Sequence, residues 1–168
     1  MEPEIQELLD KRACEEVLLR YGRTLDWLDG EGQQSCFWPD ADVDYGFFQG
    51  SGGDWVPLVM QVEQSAPRRW HACTSILVQV NGDHAKAESY GLTVGSSENE
   101  SGELVDTMFG GRYLDELEKR EGEWRISKRR YVGDWIHQFP HGLDAVASEM
   151  NLNVLQILNP GHEDYREL

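Results

Sequence analysis

The sequence predicts an α+β domain in which a strongly bent antiparallel sheet and several helices enclose one small-molecule pocket. Helical periodicity is confined mainly to the first third of the chain, extended segments fill the centre, and Gly110-Gly111 falls inside one of the longest of them. Helices first and meandering strands afterwards is the order of an α+β fold, whereas parallel α/β sheets alternate the two throughout. Paired glycines inside a strand mark a bulge or sharp bend, and a curled sheet facing a helix leaves a concave interior suited to a ligand.

Over residues 5–28, Leu18, Tyr21, Leu25 and Leu28 recur at spacings of three and four, with Cys14 and Val17 on the same side, which is the period of an amphipathic helix. Gly30 and Gly32 are expected to end it. A second, short helix is expected over residues 33–38, closed by Pro39 and Asp40 before an extended segment at residues 43–48. Residues 50–53, GSGG, read as a loop, and helix resumes from Asp54 as N-cap through Val56, Val59, Met60 and Glu63 to Ala66, where Pro67 stops it.

Beyond Pro67, Thr74, Ile76, Val78 and Val80 alternate with Ser75, Leu77 and Gln79, the pattern of a strand. Asn81-Gly82 marks a hairpin turn. Strands are then expected over residues 84–94, 104–117 and 124–134, separated by a polar loop at 96–102 and a turn at Glu121-Gly122, with a last helix near 143–155.

A chain of 168 residues with 39% hydrophobic content builds one core of ordinary size. No run of eighteen uncharged apolar residues exists and the N-terminus has no signal-peptide core, so a cytoplasmic protein is expected. With 15 Lys and Arg against 31 Asp and Glu, a formal net charge of -16, the protein repels phosphate backbones and anionic membrane surfaces. Neither nucleic acid nor membrane is an expected partner. Cys14, Cys36 and Cys73 form no CxxC pair and read as buried free thiols. Phosphate-loop, dinucleotide-binding, HExxH, EF-hand and GxSxG patterns are absent, so no cofactor or metal is expected and function rests on scattered residues.

His71 opens a strand beside Trp70, an apolar setting that disfavours its charged form, although a lone histidine there reads more readily as a hydrogen-bonded core or rim residue. Asp26 lies on the shoulder of the first helix's apolar stripe, where it serves either as a helix-end partner or as a functional carboxylate. If the two meet, the carboxylate fixes the imidazole tautomer and His71 becomes a competent general base. Tyr21 and Tyr45 offer phenolic donors to a carbonyl or oxyanion, or ordinary core packing. Arg129, between Lys128 and Arg130, either binds an oxygen-rich group or belongs to a solvated basic face. Trp38, Phe48 and Trp70 line a cavity or fill one. His84 is expected in solvent, and His137, His141 and His162 show no metal-ligand spacing.

Taken in order, the segments YGRTLDWLDGEG, CFWPDADVDYG, RRWHACTSILVQVNGDHAKAESYG and GGRYLDELEKREGEWRISKRRYVGDW resemble the SnoaL-like branch of the nuclear transport factor 2-like superfamily, the resemblance covering residues 5–135. That group includes scytalone dehydratase, bile acid dehydratase and hexachlorocyclohexane dehydrochlorinase. The resemblance implies a cone-like, cystatin-like barrel over residues 1–138, its pocket between the bent sheet and the first helices. Residues 139–168 become a partly helical extension packed on the domain or a neighbouring subunit, and a homotrimer is the implied assembly. It also implies a catalytic pair, matched here by Asp26 and His71, with Tyr21 and Tyr45 matching the tyrosines of the dehydratases and Arg129 a basic residue of the dehydrochlorinase. The second histidine of scytalone dehydratase has no counterpart in the AESYG segment. The implied function is a cofactor-independent lyase, a dehydratase of a hydrophobic cyclic or polycyclic molecule. A ketosteroid-isomerase-like isomerase or cyclase, and a non-catalytic binding module, are the alternatives.

Overall fold

The structure, a computed structural model, describes residues 2–154 and 159–168. Helix α1 (Pro3–Asp26) is followed by α2 (Gly30–Gln34), strands β1 (Phe37–Asp44) and β2 (Gln49–Ser51), and α3 (Gly52–Ser65). Four long strands come next, β3 (Arg69–Asn81), β4 (His84–Glu98), β5 (Leu104–Arg120) and β6 (Glu123–Pro140), then α4 (Leu143–Met150). The strands form one curved sheet in the order β2-β1-β6-β5-β4-β3. All neighbours are antiparallel except β1 and β6, which run parallel, so the sheet is mixed where a purely antiparallel one was expected.

Pro3 occupies the start of α1, where its missing N–H is no loss. Cys14, Val17, Leu18, Tyr21 and Leu25 are buried along one stripe that packs on β3 and β6. Burial pushes the Cys14 thiol up to about 12 and that of Cys36 up to about 11, so both stay protonated. Near the start of α1, Asp10 accepts from Lys119 Nζ and from the Trp124 indole, each at 2.8 Å, which pins the helix to β5 and β6.

Gly30 and Gly32 do not stop a helix; they build α2. The Asp29 carboxylate accepts the Gly32 N–H at 2.9 Å as an N-cap, and a Cβ on Gly32 would collide with Asp29 and Thr24. The helix expected over residues 33–38 ends at Gln34, and Phe37 opens β1 because Phe37, Ala41 and Val43 are buried in the sheet. Pro39 is tolerated there since the β1–β6 ladder is irregular between Phe37 and Asp42. The expected loop at 50–53 is divided between β2 and α3, whose N-cap is Ser51, accepting from the Asp54 N–H at 3.1 Å, and not Asp54 itself.

Strand β3 holds the main surprise of register. Thr74 pairs with Tyr90 and Leu77 with Glu88, so Ser75 and Ile76 together oppose Ser89, and Ser75 takes the left-handed conformation (φ 49°). The extra residue inverts the alternation: His71 and Cys73 share a face with Ile76, Val78 and Val80, and Thr74 joins Trp70 on the other. The following hairpin closes on Gly82-Asp83 between paired Asn81 and His84, with Gly82 at φ 61°. β4 continues through Ser96–98 against residues 104–106, shortening the expected polar loop. Between β5 and β6 the register shifts at Gly110-Gly111, where Asp134 is the extra residue, and a Cβ on either glycine would strike Trp135 or Tyr131. The last expected helix, 143–155, ends at Met150 with Asn151 left-handed as its cap, and Leu155 lies outside the described residues. Residues 159–168 return to the end of α1, where Tyr165 donates to Asp29 at 3.0 Å. No helix among the described residues is long and apolar enough to cross a membrane.

Candidate active site

Residues opposite one another in a ladder share a face, so the pairings define the concave floor beneath α1 and α3 row by row. His71, Thr93, Phe109 and Ile136 form one row, and Cys73, Gly91, Gly111 and Gly133 form the next. Deeper rows carry Ser89, Tyr113 and Tyr131, then Val78, Ala87, Asp115 and Arg129. The first row opens to solvent, Phe109 being 40% and Ile136 62% exposed, while the deeper rows belong to the core.

At the β3 end of the first row, Asp26 and His71 are in contact. His71 Nδ1 lies 2.8 Å from Asp26 Oδ1, and the His71 backbone N–H donates to Asp26 Oδ2 at 3.1 Å. Asp26 is the last residue of α1, and Gly22, one turn earlier, lets the helix approach until a Cβ there would be 3.2 Å from that of His71. The second imidazole nitrogen faces α3, with Nε2 3.6 Å from Glu63 Oε1. Glu63 entered the sequence reading only as one position of a helix; nothing local marks it, because its meeting with His71 depends on how α3 docks. Burial pushes its carboxyl above the ordinary glutamate value, against the attraction of His71 and Arg69. Arg69 donates to the carbonyls of Glu63 (2.8 Å) and Ala66 (2.6 Å), closing the C-terminus of α3.

Tyr21, Tyr45 and Arg129 come together elsewhere. The two phenols share a 2.7 Å hydrogen bond, and Tyr45 stacks between Trp55 and Tyr131. Arg129 is fully buried, not part of a solvated face, and binds Asp115 through two hydrogen bonds of 2.8 Å. Its guanidinium lies over the rings of Tyr21 (4.2 Å) and Tyr113 (4.3 Å). Burial raises the phenols of Tyr21, Tyr45 and Tyr113, so these hydroxyls remain protonated. The four-residue step from Phe109 to Tyr113 along β5 separates this group from the His71 row by roughly 13 Å at ~3.3 Å per residue. Tyr131, which the sequence did not single out, bridges part of that gap, since its ring and hydroxyl lie over Gly111.

The aromatic residues expected around a cavity divide. Phe48 packs on Trp55, Trp38 lies between Arg120 and Arg125, and Trp70 projects from the sheet face opposite His71, 51% exposed. On that opposite face a cavity of about 400 Å³ lies between Trp70, Val94 and the C-terminal segment, and it includes none of Tyr21, Asp26, Tyr45, His71 or Arg129. His84 is exposed as expected. Among the described residues, no group of three or more His, Cys, Asp or Glu side chains is arranged to hold a metal ion.

A curved mixed sheet under N-terminal helices is the architecture of the cystatin-like, nuclear transport factor 2-like folds. Within it the chain belongs to the SnoaL-like domain family, which matches residues 6–130. Comparison with curated proteins gave no match. Solved structures similar to this chain include a protein of unknown function from Mycobacterium tuberculosis (27% identity, TM-score 0.62, covering 80% of this chain and 77% of that one). A protein from Novosphingobium aromaticivorans provisionally named a scytalone dehydratase shares 20% identity over 94% of this chain and 97% of its own, with a TM-score of 0.68. The hexachlorocyclohexane dehydrochlorinase LinA-type3 of Novosphingobium barchaimii shares 18% identity over 81% of this chain and 94% of its own, with a TM-score of 0.71.

Proposed function

We propose that the chain is a cofactor-independent lyase of the cytoplasm, a dehydratase acting on a hydrophobic cyclic or polycyclic molecule. The observation that carries this reading is the 2.8 Å contact between Asp26 and His71 Nδ1 at the edge of an apolar concave floor. Asp26 holds Nδ1–H, which leaves the lone pair on Nε2 to take a carbon-bound proton beside a carbonyl. Asp26 also stabilises the imidazolium that results. Tyr21 and Tyr45 orient the substrate oxygen, and the charge of Arg129, held behind Tyr21, favours electron density on it. Relatives named for dehydration and dehydrochlorination, both eliminations, support the reaction class. The reading includes residues 1–138 as the catalytic domain, residues 139–168 as an extension, and a homotrimer.

Mass spectrometry of cyclic hydroxy-ketones incubated with the wild type and with His71→Ala tests it. Loss of water that depends on His71 is expected. A product without water loss that has taken up deuterium from solvent would make the protein an isomerase, and binding without turnover a binding module. Light scattering is expected to give three times the 19.2 kDa chain mass.

A further inference from the structure

Removal of a proton is half of a dehydration. The departing oxygen would leave as hydroxide, a poor leaving group, unless a second group protonates it. Tyr21 and Tyr45 are raised by burial and hold their protons tightly, and Arg129, which gives Nε and Nη2 to Asp115 and among the described residues has no hydrogen-bond partner for Nη1, is a guanidinium held charged beside Asp115 and releases no proton. Glu63 is differently placed. Its carboxyl sits 3.6 Å from His71 Nε2, with its side chain 14% exposed. It faces His71 and Arg69 from β3 and Asp26 from α1; Arg69 gives its short hydrogen bonds to backbone carbonyls and stands at 3.9 Å from Glu63 Oε2. An imidazole lone pair and an ionised carboxylate oxygen facing each other repel, so a proton on one of the two atoms favours their approach.

We propose that Glu63 is the general acid of the elimination, an assignment that rests on the lyase reading above. His71 Nε2 takes the carbon-bound proton, and the electrons of that C–H bond form the new double bond. The neighbouring C–O bond breaks, its electron pair stays on oxygen, and the oxygen takes the proton of Glu63 to leave as water. The histidine is then protonated and the glutamate ionised. Transfer of the proton from Nε2 to Oε1, once the two atoms close from 3.6 Å to hydrogen-bond distance, restores both groups without an outside acid or base. Because the two atoms lie side by side, they address the substrate from the same side, and the elimination is syn.

The test compares 3-hydroxy-1-tetralone with its 3-acetoxy ester, whose acetate departs without needing a proton, in wild type, Glu63→Gln and His71→Ala. Glu63→Gln is expected to lose about 100-fold or more in turnover of the alcohol and to stay within about fivefold of wild type on the ester. His71→Ala is expected to lose both. Equal losses on the two compounds in Glu63→Gln would overturn the acid role while leaving the lyase reading intact. An active wild type unaffected by His71→Ala, or one inactive on both compounds, would overturn the lyase reading and the acid role with it. With deuterium placed at C2 either cis or trans to the hydroxyl, syn elimination removes the cis label; loss of the trans label would overturn the shared-face geometry.

Discussion

Arg129 and His71 each meet a carboxylate at 2.8 Å, on separate strands of one sheet, yet their surroundings differ. The Arg129–Asp115 pair is 0% exposed on both sides, doubly hydrogen-bonded and walled by tyrosine rings. His71 and Asp26 are 7% and 16% exposed, and among the described residues the second imidazole nitrogen has only the loose 3.6 Å contact with Glu63. A closed ion pair keeps its protons fixed and supports structure. A cluster at the rim, with one contact longer than a hydrogen bond, has room for a proton to move.

Asp115→Ala attacks the closed pair and carries the largest expected effect on stability, about 3–5 kcal/mol lost, because a buried guanidinium is left without its counter-charge. Urea unfolding checks this, and combining Asp115→Leu with Arg129→Met is expected to restore most of the loss. His71→Ala attacks the rim, and the expectation reverses: turnover falls by about 10²–10⁴-fold, with an unfolding midpoint far closer to wild type than that of Asp115→Ala. Similar destabilisation in both variants would erase the contrast. Between the two clusters, Gly111→Ala is expected to lose about 1–3 kcal/mol, since its Cβ would lie 2.5 Å from the Tyr131 hydroxyl and the Val132 carbonyl. Gly133→Ala, whose Cβ would meet nothing nearer than 3.8 Å, is expected to fold normally and to raise KM if substrate rests on the glycine row.

The smallest effect concerns pH. Burial raises Glu63, so between the ordinary glutamate value and its raised one the folded protein keeps a proton that the unfolded chain has lost. Stability therefore declines as pH rises through that window. Glu63→Gln is expected to lack this component when unfolding is followed at stepped pH, and an identical profile in the variant would show that the carboxyl titrates normally.

Much of the frame was legible because local rules govern it. The stripe of α1 follows from periodicity, the hairpins from Asn81-Gly82 and Glu121-Gly122, and the sheet irregularity from Gly110-Gly111. Glycines elsewhere misled, since Gly30 and Gly32 serve close packing under an Asp29 cap where a helix stop was expected. The parallel pairing of β1 with β6 could not be read, because those strands are far apart in sequence and local pattern carries no information on partner or direction. Within the site, Asp26 and His71 could be paired through a family resemblance. Glu63 and Tyr131 could not, as each acquires its surroundings only when a helix docks or a ring lies down over a neighbouring glycine.

Ser75 gives the sheet a phase boundary. On its N-terminal side β3 presents odd-numbered residues to the concave floor, on its C-terminal side even-numbered ones. If Ser75 instead took ordinary extended backbone and paired in the ladder, β3 would become a strand of unbroken alternation that must choose which half to satisfy. If the apolar half kept its place, His71 would turn outward, away from Asp26, and Trp70 would take the inner position. One backbone position thus lets the core and the imidazole, set in opposite parity by the sequence, occupy the same side of the protein.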